Sequence, residues 1–496
     1  MKRRRCLIIG LDGATWDLIL PWAKKGELPA FLKLVKHGAW GELESTIPPM
    51  TPSAWVSIST GKNPGKHGIY SFLKIDENYN FDLVTSTDVK SKNIWEYCTK
   101  SIVINFPISY PPQKINGYMV AGMLTPGTES DFTYPRELKK MILHKIPNYR
   151  LELQWELYEG KEAEFLRDLY QMTEGRITLI KEMLKKEWQL FFSVLIGPDR
   201  IQHLFWSEEN LLSYYKKIDN FLSDILAALD KNTTLVVISD HGFQKIDKVF
   251  YCNTWLMKEG YLKTKETSLT NLLKKFGLTS ESIIRLLRLM KVDVTTLGRK
   301  LPYKLRKLIP LEGVSIYQSV DWSKTRAFMV EFGQIFINKK GKFLRGTVGP
   351  KEYEKIRSEL AQKLMKIRDP RTGDLIVSAV YKREEIYRGD YLENAPDLVF
   401  ELKEGCTHSA RIEKNYIEDS AKMRADHAKN GIIAFLGSNV KKGFEIKEAK
   451  TVDVAPTVLY ALGLPIPDDM DGRVMKEVFK DNIEVGGRRR RNEIAK

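Results

Sequence analysis

Three aspartates and three histidines stand where the end of a strand would deliver them. Asp12 closes CLIIGLDG; Asp199 follows LFFSVLIGP, with His203 one helical turn on in DRIQH; Asp240 and His241 close TLVVISDHG; His427 sits in ADHAKNGIIAFLG, just before another apolar run. A lone Asp at a strand end is ordinarily a cap or turn residue, and a lone His ordinarily a structural one. Four such elements at sheet edges, in a chain with only 7 histidines, suggest instead a divalent-metal centre, because carboxylate oxygen and neutral imidazole nitrogen are typical zinc donors.

A second group carries hydroxyls. In PPMTPSAWVSISTGKNPGKHG, Thr51 and Ser53 follow a Pro-rich turn and lead into a small-residue stretch ending at Thr60–Gly61. One reading makes Thr51 the N-cap of a helix. The other makes that helix N-terminus an anion site. Its free N–H groups and dipole would meet a phosphoryl oxygen, and the Thr hydroxyl would attack phosphorus.

These residues need a scaffold that alternates short strands with longer helices. Cys6–Leu11, Ile102–Phe106, Tyr118–Ala121, Leu190–Ile196, Thr234–Ser239, Asp397–Leu402 and Gly431–Leu436 read as strands, short and rich in Val, Ile and Phe. Glu162–Glu187 repeats apolar residues at helical spacing. VAPTVLYAL follows Asp453 as an expected N-cap and precedes Gly463 as an expected C-cap. The alternation implies an α/β fold whose mainly parallel central sheet is flanked by helices, with ligands at the C-terminal ends of the strands.

The chain has 496 residues, 43% hydrophobic and 29% charged, which excludes a wholly disordered or collagen-like protein. Its net charge of +16 favours anionic partners. The 4 cysteines are scattered without a CxxC pair, which speaks against a cysteine zinc site and for a reducing compartment. The basic start MKRRR is followed by an apolar run too short for a signal peptide, and no stretch approaches the ~18 apolar residues of a membrane span. A cytoplasmic protein is expected. From Lys245 to Lys307, 15 Lys/Arg face 5 Asp/Glu, and ESIIRLLRLMK is strongly helical. The expected organisation is an α/β core over 1–244 and 318–480, a basic helical cap inserted at 245–317, and a basic, disordered tail over 481–496. The cap and tail are possible contacts for acidic lipid or nucleic acid.

Together the motifs GLDG, PPMTPSAW with TGKNPGKHGI, PDRIQH, SDHG, ADH with GIIAFLGSNVKKG, and VDVAPTVLYALGLPIPDDMDG resemble the alkaline phosphatase superfamily, and within it the type I phosphodiesterase / nucleotide pyrophosphatase branch. The resemblance runs from residue 9 to residue 472. It implies an alkaline-phosphatase-like core and two divalent ions, Zn2+ before Mn2+. One would be held by Asp12, Asp240 and His241, the other by Asp199, His203 and His427. It also implies Thr51 as nucleophile in contact with the first ion, because Thr51 lies nine residues before Thr60 of the TG pair. His67 matches a structural histidine.

One departure affects substrate class. Nucleotide pyrophosphatases carry an Asn five residues after the histidine of the HG pair, where this chain has Phe72. The sulfatase motif CxPxR is absent. The function implied is hydrolysis of a phosphodiester or pyrophosphate through a covalent phosphothreonine, on an anionic phosphorylated small molecule. The alternatives are a phosphomonoesterase or a phosphoglycerate-mutase-like phosphotransferase and, in another class, a catalytically reduced binder of phosphorylated lipid or nucleic acid.

Overall fold

Buried apolar strands organise the chain. The computed structural model describes residues 4–158, 160–265, 317, 319–420, 425–483 and 485. The first strands are β1 (Arg5–Leu11), β2 (Ala39–Glu44), β3 (Leu73–Ile75), β4 (Phe81–Leu83), β5 (Ser101–Phe106), β6 (Gly117–Ala121), β7 (Thr133–Tyr134), β8 (Leu190–Leu195), β9 (Thr233–Ile238) and β10 (Gly242–Tyr251). They are followed by β11 (Ala327–Met329), β12 (Gln334–Ile337), β13 (Val377–Lys382), β14 (Leu398–Leu402), β15 (Gly405–Ser409), β16 (Ile417–Asp419), β17 (Ala425–Ala428), β18 (Asn430–Leu436) and β19 (Phe444–Lys450). All seven strands read from the sequence are present, shifted by a residue or so at their ends.

Nine strands form the main sheet in the order β19-β2-β18-β9-β1-β8-β5-β6-β7. Only β18 and β7 run against the rest. Central β8 (LFFSVL) is buried along its whole length, as a strand covered on both faces must be. The helix Glu162–Leu184 packs Phe165, Leu169, Met172, Leu179, Ile180 and Met183 on the core, and ends three residues before the expected Glu187. The helix Val454–Leu462 ends at Gly463, whose φ of 71° is left-handed, as a glycine C-cap requires. Asp453 does not cap that helix with its side chain. It accepts instead from Lys450 N at 3.0 Å and Arg473 N at 2.8 Å, closing the preceding turn Thr451–Asp453.

Register sets the level at which side chains leave the sheet. Gly10 pairs with Val194 on one side and with Ile238 on the other. Asp12, Asp199 and Asp240 therefore emerge at the same C-terminal edge.

The later residues differ from the expected organisation. Gly242–Tyr251 is a strand where the helical insertion was expected to open at 245. It pairs with β15, β16 and β17. A second four-stranded sheet has the order β11-β12-β14-β13. Around these lies a hydrophobic core of its own, drawn from Phe250, Leu256, Phe328, Ile335, Leu360, Leu398, Phe400 and Ile417 among others. Much of 318–420 thus packs in a second lobe rather than on the main sheet. An alternating apolar pattern reports a strand but not the sheet it joins. Residues 266–316, most of the expected cap with ESIIRLLRLMK, lie outside the described residues, as does the tail from 486. Among the described residues, no helix is long and apolar enough to cross a membrane.

Candidate metal centre

Asp12, Asp199, Asp240 and His241 follow strands read from the sequence, whereas the strand that carries His427, β17, was not among them. Asp12 follows β1 directly. Gly13 turns the chain with φ 70°, and its N–H donates to Asp240 Oδ1 at 3.3 Å. Asp240 and His241 join β9 to β10. Asp199 and His203 lie four residues apart on the helix Gly197–Leu204, which puts them on one face. His427 comes from β17, which pairs with β10 so that His427 faces Phe243. Thr51 is the first residue of the helix Thr51–Thr60. Met50 holds the N-cap position, so the capping reading of Thr51 does not hold.

The structure brings all seven residues together and buries them: Asp12, Asp240 and His241 are 0% exposed, Asp199 1% and Thr51 2%. His241 Nε2 lies 3.2 Å from Thr51 Oγ1, 3.3 Å from Asp240 Oδ2 and 3.6 Å from Asp12 Oδ1. Asp199 Oδ1 lies 3.4 Å from His203 Nε2 and 3.3 Å from His427 Nε2. The His241 and His427 rings stack at 3.7 Å, joining the two groups. Donor atoms of Asp199, His203 and His427 fall within 4.8 Å of one another, and so do those of Asp12, Asp199 and His241. Asp199 therefore reaches both groups, which the spacing of the motifs did not foretell.

The donor set fits two divalent cations. Asp12 Oδ1, Asp199 Oδ1, Asp240 Oδ2 and His203 Nδ1 are buried without a hydrogen bond, an expensive state unless a cation completes it. His241 Nδ1 lies 3.0 Å from Gly242 O and His427 Nδ1 3.0 Å from Pro49 O. Each Nδ1–H donates to its carbonyl, and Nε2 is presented to the centre, as in metal-ligating histidines. Burial, then the nearby Asp199 charge, pushes the Asp12 carboxyl up to about 7. Burial and Asp12 push Asp240 up as well. Burial, with His427 beside it, holds His241 below the usual imidazole range. Burial acts upward on Asp199 too, but His203 and Arg200 outweigh it and hold that carboxyl well below the usual range. Two carboxyls pushed up by burial side by side suit a cation.

The hydroxyls separate clearly. Ser53 Oγ donates to Met50 O at 3.2 Å and meets Thr46 Oγ1 at 2.9 Å, whereas Thr51 faces His241. His67 is fully buried; its Nδ1 accepts from Ile69 N at 3.2 Å and its Nε2 meets Ser57 Oγ at 3.0 Å, a structural arrangement. Phe72 packs half-buried against the main core, so no amide stands at that position.

Several residues around the centre were not singled out from the sequence. Trp55 Nε1 donates to Asp12 Oδ2 at 3.0 Å. Trp155 stacks on His203 at 4.9 Å, and Phe332, with φ 40°, stacks on His427 at 5.2 Å from the second lobe. Arg200 pairs with Asp199 and was in plain view inside DRIQH.

The sequence matches the type I phosphodiesterase / nucleotide pyrophosphatase family over residues 6–431. The chain belongs to that family. Among solved structures it shares its fold with human ectonucleotide pyrophosphatase / phosphodiesterase 5, at a TM-score of 0.55 and 13% identity over 96% of this chain and 100% of that one. Phosphonoacetate hydrolase from Sinorhizobium meliloti 1021, in complex with phosphonoformate, gives 0.56 and 13% over 93% and 95%. An inactive threonine-to-alanine variant of the murine ectonucleotide pyrophosphatase / phosphodiesterase 5, in complex with AMP, gives 0.55 and 14% over 96% and 100%. These neighbours share the mixed α/β fold of this chain, with its large central sheet and flanking helices. GPI ethanolamine phosphate transferase 3 from Eremothecium gossypii is 30% identical over 82 residues, 15% of this chain; the match spans only 8% of that protein's length. Membership of the type I phosphodiesterase / nucleotide pyrophosphatase family supports a phosphoester hydrolase, and the Asp/His groups are those in which the chain could hold metal.

Proposed function

We propose that the protein hydrolyses phosphodiester or pyrophosphate bonds of an anionic small molecule, with two divalent ions and a covalent phosphothreonine at Thr51. The observation that carries this is Thr51 Oγ1 at a helix N-terminus, 3.2 Å from His241 Nε2, inside a buried cluster of unpaired carboxylate oxygens. Asp12, Asp240 and His241 would hold one ion and Asp199, His203 and His427 the other; zinc suits these donors, and manganese is the second choice. When bound, the ions supply positive charge that offsets the phosphoryl oxygens and favours ionisation of a nearby hydroxyl.

The chain's own residues do the rest. Thr51 Oγ1 attacks phosphorus, and the bond from phosphorus to the leaving oxygen breaks as phosphothreonine forms. Water then cleaves the phosphothreonine, releasing the phosphoryl product and restoring the hydroxyl. The unpaired N–H groups of the first helical turn orient phosphoryl oxygens. Trp55 fixes Asp12, and the carbonyls of Gly242 and Pro49 fix the two histidine rings. The murine neighbour inactivated by a threonine-to-alanine change supports the nucleophile, and its AMP supports a nucleotide-like substrate. The four cysteines are free, which supports a cytoplasmic, reducing location.

The test is turnover of bis-p-nitrophenyl phosphate against p-nitrophenyl phosphate with zinc-loaded protein, followed by acid quench and phosphopeptide mapping. Faster diester turnover with phosphate on Thr51 is expected. Faster monoester turnover would favour the phosphomonoesterase reading. No turnover of either with two ions bound would favour a binder.

A further inference from the structure

The two ligand groups differ in what stands behind their carboxylates. Among the described residues, Asp12 and Asp240 have only His241 within ion-pair distance. Asp199 has Arg200 on Oδ2, leaving Oδ1 turned to His203 and His427. Arg200 is part-buried, with 13% of its side chain exposed, and its Nε lies 3.1 Å from Glu152 Oε1. The segment that carries Glu152 is itself pinned. Arg176, 1% exposed, donates from Nη2 to Leu151 O at 2.8 Å and from Nη1 to Val194 O at 3.4 Å. It has no carboxylate within ion-pair distance among the described residues. A part-buried guanidinium therefore pairs with the carboxylate of one ligand group, and among the described residues none lies within ion-pair distance of the carboxylates of the other.

We propose that the Glu152–Arg200 pair is an electrostatic clamp on Asp199, which makes the ion held by Asp199, His203 and His427 the weaker-bound and exchangeable one of the two. The inference rests on the metal-centre reading above. The group of Asp12 and Asp240 offers two carboxylates with no lysine or arginine within ion-pair distance among the described residues, and Arg200 acts on Asp12 only from beyond that distance. The other group offers one carboxylate already shared with a guanidinium, and that fixed positive charge repels an incoming dication across a medium too dry to screen it well. Glu152 relieves part of this repulsion and holds Arg200 to one side of the carboxylate. The arrangement leaves the first ion resident beside Thr51 and allows the second to come and go with metal supply.

The signs of two charge changes test the clamp. Metal-stripped full-length protein is titrated with zinc against a chromogenic chelator, and circular dichroism confirms that each variant is folded. The wild type should bind two equivalents in steps separated by about tenfold or more. Arg200→Gln should tighten the weaker step by about tenfold, because the repelling charge is gone. Glu152→Gln should weaken the same step by about tenfold, because Arg200 is left uncompensated. Arg200→Lys, which keeps the charge, should leave it within about threefold of the wild type. If Arg200→Gln did not fold, the Glu152→Gln and Arg200→Lys results would decide. Weakening by Arg200→Gln would overturn the clamp, since the pair would then serve geometry rather than charge. No change in either charge-neutral variant would overturn it equally. A wild type that binds no zinc would instead overturn the metal reading itself.

Discussion

Both lobes bury charge, but among the described residues two fully buried carboxylates at the main sheet, Asp12 and Asp240, lack a lysine or arginine partner. In the second lobe Asp397 is 1% exposed and fully engaged: it accepts from Ile337 N at 2.7 Å and Tyr353 Oη at 2.6 Å, and Arg383 lies 3.9 Å away. Asp369 is 0% exposed and faces Lys248 at 2.7 Å and Arg371 at 3.4 Å. At the edge of the main sheet Asp12 and Asp240 are equally buried, yet each keeps an oxygen without a hydrogen bond and, among the described residues, neither faces a lysine or arginine within ion-pair distance. A buried charge that the chain neutralises itself is part of the architecture. One that the chain leaves open is a place for something the chain does not carry. The contrast can be broken or sharpened by substitution on each side of it.

The largest effect should be catalytic. Thr51→Ala removes the attacking oxygen and leaves the six carboxylate and imidazole donors in place. Turnover of the best diester substrate should fall by roughly a thousandfold or more, with two zinc ions still bound and stability changed by less than about 1 kcal/mol. Thr51→Ser should recover part of the activity. An active Thr51→Ala enzyme alongside a dead Ser53→Ala one would move the nucleophile to Ser53.

Next comes the unbalanced charge. Asp12→Asn and Asp240→Asn should each weaken zinc binding, because a neutral amide replaces an anionic donor, and yet make the metal-free protein more stable. The pH dependence carries the sign. The Asp12 carboxyl is raised to about 7 in the fold, from an ordinary value of 3.8. Between those values the folded state holds a proton that the unfolded state has lost, so its contribution to stability falls as pH rises through the window and is fully lost above about 7. The stabilisation of metal-free Asp12→Asn over metal-free wild type should therefore grow from pH 4 to pH 7 and then level off. Thermal melts with and without zinc check this. A variant less stable than wild type in the absence of metal would mean that Asp12 is already balanced by the chain.

On the other side of the comparison, Asp397→Asn should destabilise the protein by about 1–3 kcal/mol, because an amide cannot accept from both Ile337 N and Tyr353 Oη as the carboxylate does, while Arg383 keeps Glu384 and Glu393. The loss should be the same with and without zinc, and zinc stoichiometry should stay at two. Urea unfolding in both conditions measures it. A zinc-dependent loss would tie the second lobe to the metal centre energetically.

The difference between the lobes also marks what the sequence could tell. Strands such as Leu190–Leu195 and Thr233–Ile238 are legible because central parallel strands are continuous apolar runs. The six candidate donors stood out because Asp12, Asp199, Asp240 and His241 follow such runs, His203 lies one helical turn beyond Asp199, and His427 precedes another run. The second lobe was not legible as a unit: its strands β11 to β14 are short, their partners are fixed only by long-range pairing, and nothing local says that Leu398–Leu402 joins β12 and β13 rather than the main sheet. Glu152 and Trp155 escaped notice for the same reason. They sit in a connecting segment whose meaning depends on Arg200 and His203, some 50 residues later in the chain. Arg200 adjoins Asp199 in sequence, but a guanidinium beside a ligand has no spacing signature of its own.

The smallest effect isolates burial from pairing, because one arginine serves two carboxylates. Arg371 lies 3.4 Å from Asp369, which is buried, and 2.7 Å from Asp419, whose side chain is 73% exposed. Burial acts to raise the Asp369 carboxyl, but the hydrogen bond from Lys248, with those from Arg371, outweighs it and the group is held below its usual range. Its stabilising contribution is therefore present above the ordinary carboxylate pKa and is lost as pH falls through the lowered one. This is the opposite slope from Asp12, in a more acid window. Asp369→Asn should destabilise clearly at pH 7 and progressively less below pH 4. Asp419→Asn should change stability by less than about 1 kcal/mol, since an exposed ion pair gains little over water and is screened by salt. Unfolding curves for the two variants at pH 7, at low and high salt, make the comparison. If Asp419→Asn were as damaging as Asp369→Asn, pairing rather than burial would set the cost of a charge in this lobe, and the open carboxylates at the main sheet would lose their meaning as a site built for metal.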